Sequence, residues 1–318
     1  MATVDEIASD LVGSFDAQDA LVPALRWINN RYVQLVRRAR FRHLRQIGEL
    51  SIPAQQNTGT VSVTRGSTTV TGVGTGWSFL PDTEGWYFRA GTAWYKIDSS
   101  GGATDITLAS AYAEDDVSGG SYALIKRFHP LESDARWIGQ FAHDRLRSTL
   151  DGPIAHAALD VIAPDRNLIA SLPEFVAQAG VDSSGYLIVE IYPYCSRSEM
   201  IHYEYWSLPE DLGFSSDIPA QVDHDVLKEG ALIDPFRWFM AKAAKQGKVD
   251  EAALWRNESR AQETRWKDYI KEAVRAARGA EDITAVLGWK STTGRRIRGD
   301  IRSAEDYVLY NWTYPANW

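Results

Sequence analysis

The sequence predicts an α+β chain: a helical bundle domain with a β-hairpin, carrying an inserted small antiparallel β-barrel or sandwich, and ending in an extended C-terminal tail. Three observations predict it. Apolar residues recur at helical spacing before residue 50 and again after residue 130, the pattern of helices with one buried stripe. Between them, a stretch opening TGTVSVTRGSTTVTGVGTGW alternates β-branched with small polar residues and breaks at glycines, as short strands joined by tight turns do. Beyond residue 281 the apolar spacing is lost. The expected boundaries are 1–55 with 129–280 for the helical domain, 56–128 for the inserted module and 281–318 for the tail.

Taken in order, Leu21, Leu25, Ile28, Tyr32 and Leu35 step by four and three, which predicts one long helix over about 17–45, with Pro23 accommodated in its first turn. In the module, Val61 and Val63 alternate with Ser62 and Thr64, Arg65-Gly66-Ser67 supplies a turn, and 69–71 returns. Further strands are expected at 86–90, 93–98, 105–109 and 122–127, enough for a closed small sheet. Helices are expected at 132–150 and 169–178, a hairpin from 185–192 and 199–206, and helices at 222–246 and 249–278. Asp234-Pro235 should kink the first of these last two, because proline removes a ladder donor, and Gly247 should separate them.

At 318 residues and 44% hydrophobic content the chain can bury a substantial core. Its net charge of −8 disfavours non-specific wrapping of nucleic acid, which needs surplus Lys and Arg. Cys195 is the sole cysteine, which excludes an internal disulfide or a cysteine-built zinc cage. The opening MATVDEIASDLVGSF is acidic and lacks the order of a secretory signal, and no apolar run reaches membrane-spanning length. A protein made and folded in the cytosol is expected. Twelve tryptophans and fourteen tyrosines exceed what a monomer of this size needs, and such rings are enriched at interfaces.

Catalytic signatures are sparse. Asp223-His224-Asp225 resembles a metal-binding triplet, but neighbours on a helix diverge by about 100°, so no metal site is expected. The histidines at 43, 129, 143, 156, 202 and 224 show no paired ligand spacing. Gly72-Val73-Gly74-Thr75-Gly76 reads as a turn, since no helix follows it to present a phosphate-binding N-terminus. Glu190 and Glu204 could form a carboxylate pair for glycoside cleavage, and Trp77, Trp86 and Trp94 could bind a sugar, though core or interface roles suit those tryptophans better. No enzyme activity and no cofactor are expected.

The charge pattern is more specific. Residues 20–48 hold seven arginines and no acid, five of them being Arg37, Arg38, Arg40, Arg42 and Arg45. On a helix they would form one basic face, either solvated or turned toward acidic protein or passing DNA, since guanidinium forks suit carboxylate and phosphate alike. The tail adds a basic segment, Arg295, Arg296, Arg298 and Arg302, followed by Tyr307, Tyr310, Trp312, Tyr314 and Trp318, rings suited to burial in grooves of a partner.

The run from Gly59 to Trp77, with Gly85-Trp86-Tyr87-Phe88, Trp94-Tyr95-Lys96-Ile97, Ile106-Thr107-Leu108, Tyr112 and Ser118-Gly119-Gly120-Ser121-Tyr122-Ala123-Leu124-Ile125, resembles a β-module of structural proteins of tailed bacteriophages. Ile191-Tyr192-Pro193 and then Ile218-Pro219, Leu227, Gly230 and Ala231 extend the resemblance, over residues 3–280, to the head-to-tail connector (adaptor) proteins of these double-stranded-DNA phages. The resemblance implies a non-enzymatic homo-oligomer, a dodecameric ring in the virion neck beneath the portal protein. Such a ring continues the DNA channel toward downstream tail or neck proteins and serves genome packaging and ejection. It binds no membrane, and duplex DNA passes without sequence-specific contact, a passage that net acidity would ease. The aromatic tail would dock into the portal. Two other expectations stand beside it: a phage-associated cell-wall glycan hydrolase using Glu190 or Glu204, and a tail or fibre protein whose module binds a glycan.

Overall fold

Two helices, α1 (Val4–Gly13) and α2 (Leu21–Val36), are followed by strand β1 (Arg45–Ile52). Seven short strands come next: β2 (Thr60–Val63), β3 (Thr69–Val73), β4 (Trp86–Arg89), β5 (Tyr95–Ser100), β6 (Asp105–Leu108), β7 (Val117–Gly120) and β8 (Ala123–Lys126). The chain continues through β9 (Phe128–Pro130), β10 (Ala135–His143), β11 (Asp151–Ala155), α3 (His156–Ile162), β12 (Ile169–Ala170), β13 (Phe175–Val181), β14 (Leu187–Tyr192), β15 (Tyr194–Cys195) and β16 (Glu199–Ser207). It closes with α4 (His224–Ala231), α5 (Ile233–Lys245) and α6 (Val249–Val286). The computed structural model describes residues 3–13, 21–77, 83–144, 148–220 and 222–286.

The expectation of a body dominated by a helical bundle is overturned. Among the described residues there are sixteen strands in four sheets and six α-helices. The stretch 132–150, expected as helix, holds β10, and 169–178 holds β12 and the start of β13. The expected hairpin also dissolves: β14 pairs with β13 and β9, whereas β16 pairs with β1 and β10 in a different sheet. The helix expected over 222–246 breaks at Leu232 into α4 and α5, which leaves Pro235 in the first turn of α5, where its missing N–H costs little.

The seven strands of 60–126 form one antiparallel sheet in the order β7-β2-β3-β6-β5-β4-β8. Its edge strands β7 and β8 do not pair, so the module is a curled half-barrel rather than a closed barrel. The connection shows how far it curls: Gly120 ends one edge and Ala123 begins the other, and three residue steps span at most roughly 10 Å. Inside the curl, Val61, Val70, Trp77, Phe88, Ile106 and Leu124 form a separate core. The Trp77 indole N–H donates to the Tyr122 hydroxyl at 3.1 Å, and that hydroxyl donates to the Thr58 carbonyl at 2.7 Å. Buried tryptophan and tyrosine polar atoms find partners in this way.

The helices pack together in another core. Ile28, Tyr32 and Leu35 of α2 meet Ile7 and Leu11 of α1, Leu227 and Ala231 of α4, and Trp266 of α6. Arg31, itself buried, donates from Nε and a terminal nitrogen to Oδ2 of Asp234 at 3.1 and 2.8 Å, joining α2 to α5. A third core lies between the sheet β1-β16-β10 and the sheet β11-β13-β14-β9, where Phe141 stacks on Tyr203 with ring centroids 5.1 Å apart.

Candidate functional site

The arginine segment does not lie on a helix face. α2 stops at Val36, and Ala39, Phe41 and Leu44 then turn into the helical core at a spacing that no helix could satisfy. Between those anchors Arg37, Arg38 and Arg42 are exposed and Arg40 is half-buried, while Arg45 opens β1. Each anchored apolar residue therefore pushes a neighbouring guanidinium outward.

Two of the nearby guanidinium groups are parked on indoles. Arg40 lies 5.0 Å from the ring centroid of Trp206, and Arg136 lies 4.2 Å from that of Trp137. Trp137 and Trp206 are direct cross-strand partners on β10 and β16, so the two cation–π contacts adjoin. Arg136 also donates to the Arg37 carbonyl at 3.4 Å. Arg45 is ion-paired with Glu204. Arg37 and Arg38 have no acidic partner among the described residues. Arg37 borders a hollow of about 460 Å³, faced on the α2 side by Asn30 and Gln34 and on the other by Leu208, Pro209 and Asp211. Asn29 fixes that far wall, donating to the Leu212 carbonyl at 2.9 Å and accepting from its N–H at 2.8 Å.

A second charge cluster is sealed. Glu190, on β14, has 0% exposure. Its Oε1 accepts from Arg127 Nε at 2.7 Å and from the Tyr194 hydroxyl at 3.1 Å. Its Oε2 lies 2.7 Å from a terminal nitrogen of Arg166 and 2.7 Å from His156 Nε2. Arg166, the one non-glycine residue with positive φ among those described, also pairs with Asp160. Burial opposes the charge on Arg127, but attraction to Tyr194 and Glu190 outweighs it and holds the guanidinium above its ordinary value. Burial, then the Glu190 charge, pushes the Tyr194 phenol up.

This arrangement leaves Glu190 no direction from which to meet a substrate. Glu204 belongs to another sheet and is engaged by Arg45, so the two carboxylates do not form a shared cleft pair. Trp77 and Trp86 are buried in the module core, and one face of Trp94 is covered by Arg89 at 4.4 Å, with its N–H directed to the Arg166 carbonyl at 3.2 Å. None presents an open platform to a sugar. Burial, with the Glu199 charge adding to it, lifts the Cys195 thiol to about 12, which leaves it an inert core group.

The spacing argument against Asp223-His224-Asp225 fails on geometry: their ligand atoms lie within 4.8 Å of one another. Asp223 is the N-cap of α4, with extended backbone, and is not part of the helical turn. All three are exposed, and Asp223 is already occupied by the Asp225 N–H at 2.9 Å. The Gly72–Gly76 stretch closes β3 in a turn, with Gly74 and Gly76 at φ of 71° and 66°. The predicted tail residues Arg295, Arg296, Arg298, Arg302, Tyr307, Tyr310, Trp312, Tyr314 and Trp318 lie outside the described residues.

Sequence reasoning singled out Glu190 but missed Arg127, His156, Arg166 and Tyr194. A usable signal was the acid inside the run Leu187–Tyr192, where Val189 and Ile191 are also buried and a carboxylate requires partners. No protein-family model matches the chain, and no curated protein is detectably similar to it in sequence.

Proposed function

We propose that this chain is a head-to-tail connector of tailed bacteriophages, a non-enzymatic subunit of a ring that sits below the portal and extends the DNA channel toward the tail. The ordered segments from Gly59 to Ala231 that resemble such connectors support the reading. The structural observation that carries it is the arginine segment: Arg37, at the edge of a polar hollow, and its neighbour Arg38 stand exposed, and neither is ion-paired to an acid among the described residues. Unpaired forks next to a formed hollow suit a surface that meets carboxylates of a neighbouring molecule. In this reading the segment Arg295–Arg302 and the rings from Tyr307 to Trp318 grip the portal, and the inserted module fills space between or outside neighbours.

Mass measurement of the purified protein, alone and mixed with its portal, tests the reading. A large closed oligomer that binds portal is expected, and removal of 307–318 should abolish that binding while leaving the subunit folded. A protein that stays monomeric and ignores portal overturns it.

A further inference from the structure

The arginine segment and its hollow have a counterpart elsewhere on the same chain. On and just after α3, three large apolar side chains face solvent: Val161 is 82% exposed, Ile162 50% and Leu168 56%. Val161 is the most exposed large apolar residue among those described. Asp165 stands exposed between them with no ion-pair or hydrogen-bond partner among the described residues, and Asp160 keeps more than half of its side chain in water. This is an acidic, apolar knob. The hollow presents a largely complementary face: Arg37 at its rim with Arg38 exposed next in the chain, Val33, Leu208 and Pro209 as apolar lining, and Asp211 as its one acidic lining residue.

We infer that the α3 knob of one copy docks into the hollow beside Arg37 and Arg38 of the next. The inference rests on the ring reading above, and it names the surfaces that would close the ring. Leu159 of α3 is anchored in a different core from that of α2, so the two patches are separate surfaces. A contact between two different patches is heterologous, the head-to-tail kind that builds a ring when its rotation closes and a filament when it does not.

Charge complementarity favours a second copy over other acidic partners. The knob's own exposed charges are Asp160 and Asp165, whereas 20–48 carry seven arginines and no acid, and a second copy is the acidic partner that the ring reading already supplies. Nucleic acid fits less well: Asp211 lines the hollow and Glu204 sits within the arginine segment's reach at Arg45. Interleaved carboxylates repel a phosphate backbone but suit a mixed protein interface.

Charge reversal in trans tests it. R37E/R38E and D165R change only exposed side chains, so circular dichroism should show both folded. Each alone should raise the concentration needed for assembly about tenfold or more, read by light scattering. Mixed together they should assemble again, because each reversed hollow then meets a reversed knob. In the Q34C/V161C protein, oxidation should yield disulfide-linked ladders between copies, with Cys195 too buried to take part. Assembly unaffected by either reversal, or lost and not restored by mixing, overturns the inference. So does a R37E/R38E protein of unchanged mass that has lost binding to duplex DNA, and so does a wild-type protein that never self-associates. If the wild-type ring forms through these surfaces but ignores portal, the inference stands and the connector reading falls.

Discussion

Arg127 Nε stands 2.7 Å from Oε1 of Glu190, a carboxylate with no exposure to solvent. Arg127 is the single residue between β8 and β9, where the chain passes from the seven-stranded sheet to the four-stranded one. The pair therefore clamps the two sheets at their crossing, and Arg166 clamps the same carboxylate from the segment after α3.

Glu190→Ala should be severely destabilising. It would strand Arg127 and Arg166, both largely buried, and removing one partner of a buried ion pair costs about 3–5 kcal/mol. Urea unfolding of the purified variant measures this. A loss under about 1 kcal/mol, the range of exposed pairs, would mean that water reaches the cluster.

His129 gives the protein an acid sensitivity with a defined sign. It is buried on β9 opposite Val189, its Nε2 has no hydrogen-bond partner among the described residues, and burial, then the Lys126 charge, lowers its pKa from 6.5 to about 3. Above pH 6.5 the ring is neutral in both states and its contribution is complete. Below that, the unfolded chain binds a proton that the folded ring refuses, so stability falls until about pH 3. The urea midpoint of wild type should drop between pH 7 and pH 4.5, and His129→Leu should drop less. Equal drops in both proteins would assign the acid loss to other groups.

Trp77 should behave as a core residue. Fully buried, and edge-on to Tyr122 at 5.6 Å, it should cost about 3–5 kcal/mol when cut to alanine, and Trp77→Phe less, since it mainly loses the bond to the Tyr122 hydroxyl. Thermal unfolding distinguishes the two. A Trp77→Ala protein of unchanged melting temperature would contradict this packing and return the ring to the surface.

The module is legible where a strand has one buried face: Val61, Val63 and Val70 alternate with exposed neighbours, and Gly66, Gly74 and Gly76 fall in turns, whereas β7, with no buried residue and with Gly119 and Gly120 inside it, reads as a turn. β10 reads as helix in the sequence for a physical reason. Its pairing with β16 shifts register between Ile138 and Phe141, so two residues three apart both reach the core, and the irregularity imitates helical spacing. β13 lies inside its sheet with Val176 and Ala177 both buried, and a strand covered on both faces loses its alternation. The arginine segment was found as a composition, but its placement depends on Ala39, Phe41 and Leu44 leaving the helical period. The sealed Glu190 cluster gathers residues 127, 156, 166, 190 and 194, and only the fold brings such separations together.

Gly230 shows what the Leu227, Gly230, Ala231 element does. All three are buried on α4, and a Cβ built on Gly230 would stand 2.6 Å from the six-membered ring of Trp266 on α6. Glycine is needed there for approach, because the ring itself is buried in the helical core and cannot swing away. Two effects oppose each other in Gly230→Ala: alanine gains about 0.5–1 kcal/mol over glycine within a helix, whereas forcing extra volume into a packed core costs about 1–3 kcal/mol. The steric cost outweighs the gain in helix propensity, so the variant should melt at a lower temperature than wild type. The double variant Gly230→Ala with Trp266→Leu, whose smaller side chain vacates the clash, should lose less than the sum of the two single changes. Strictly additive losses would show that Gly230 and Trp266 do not share the space.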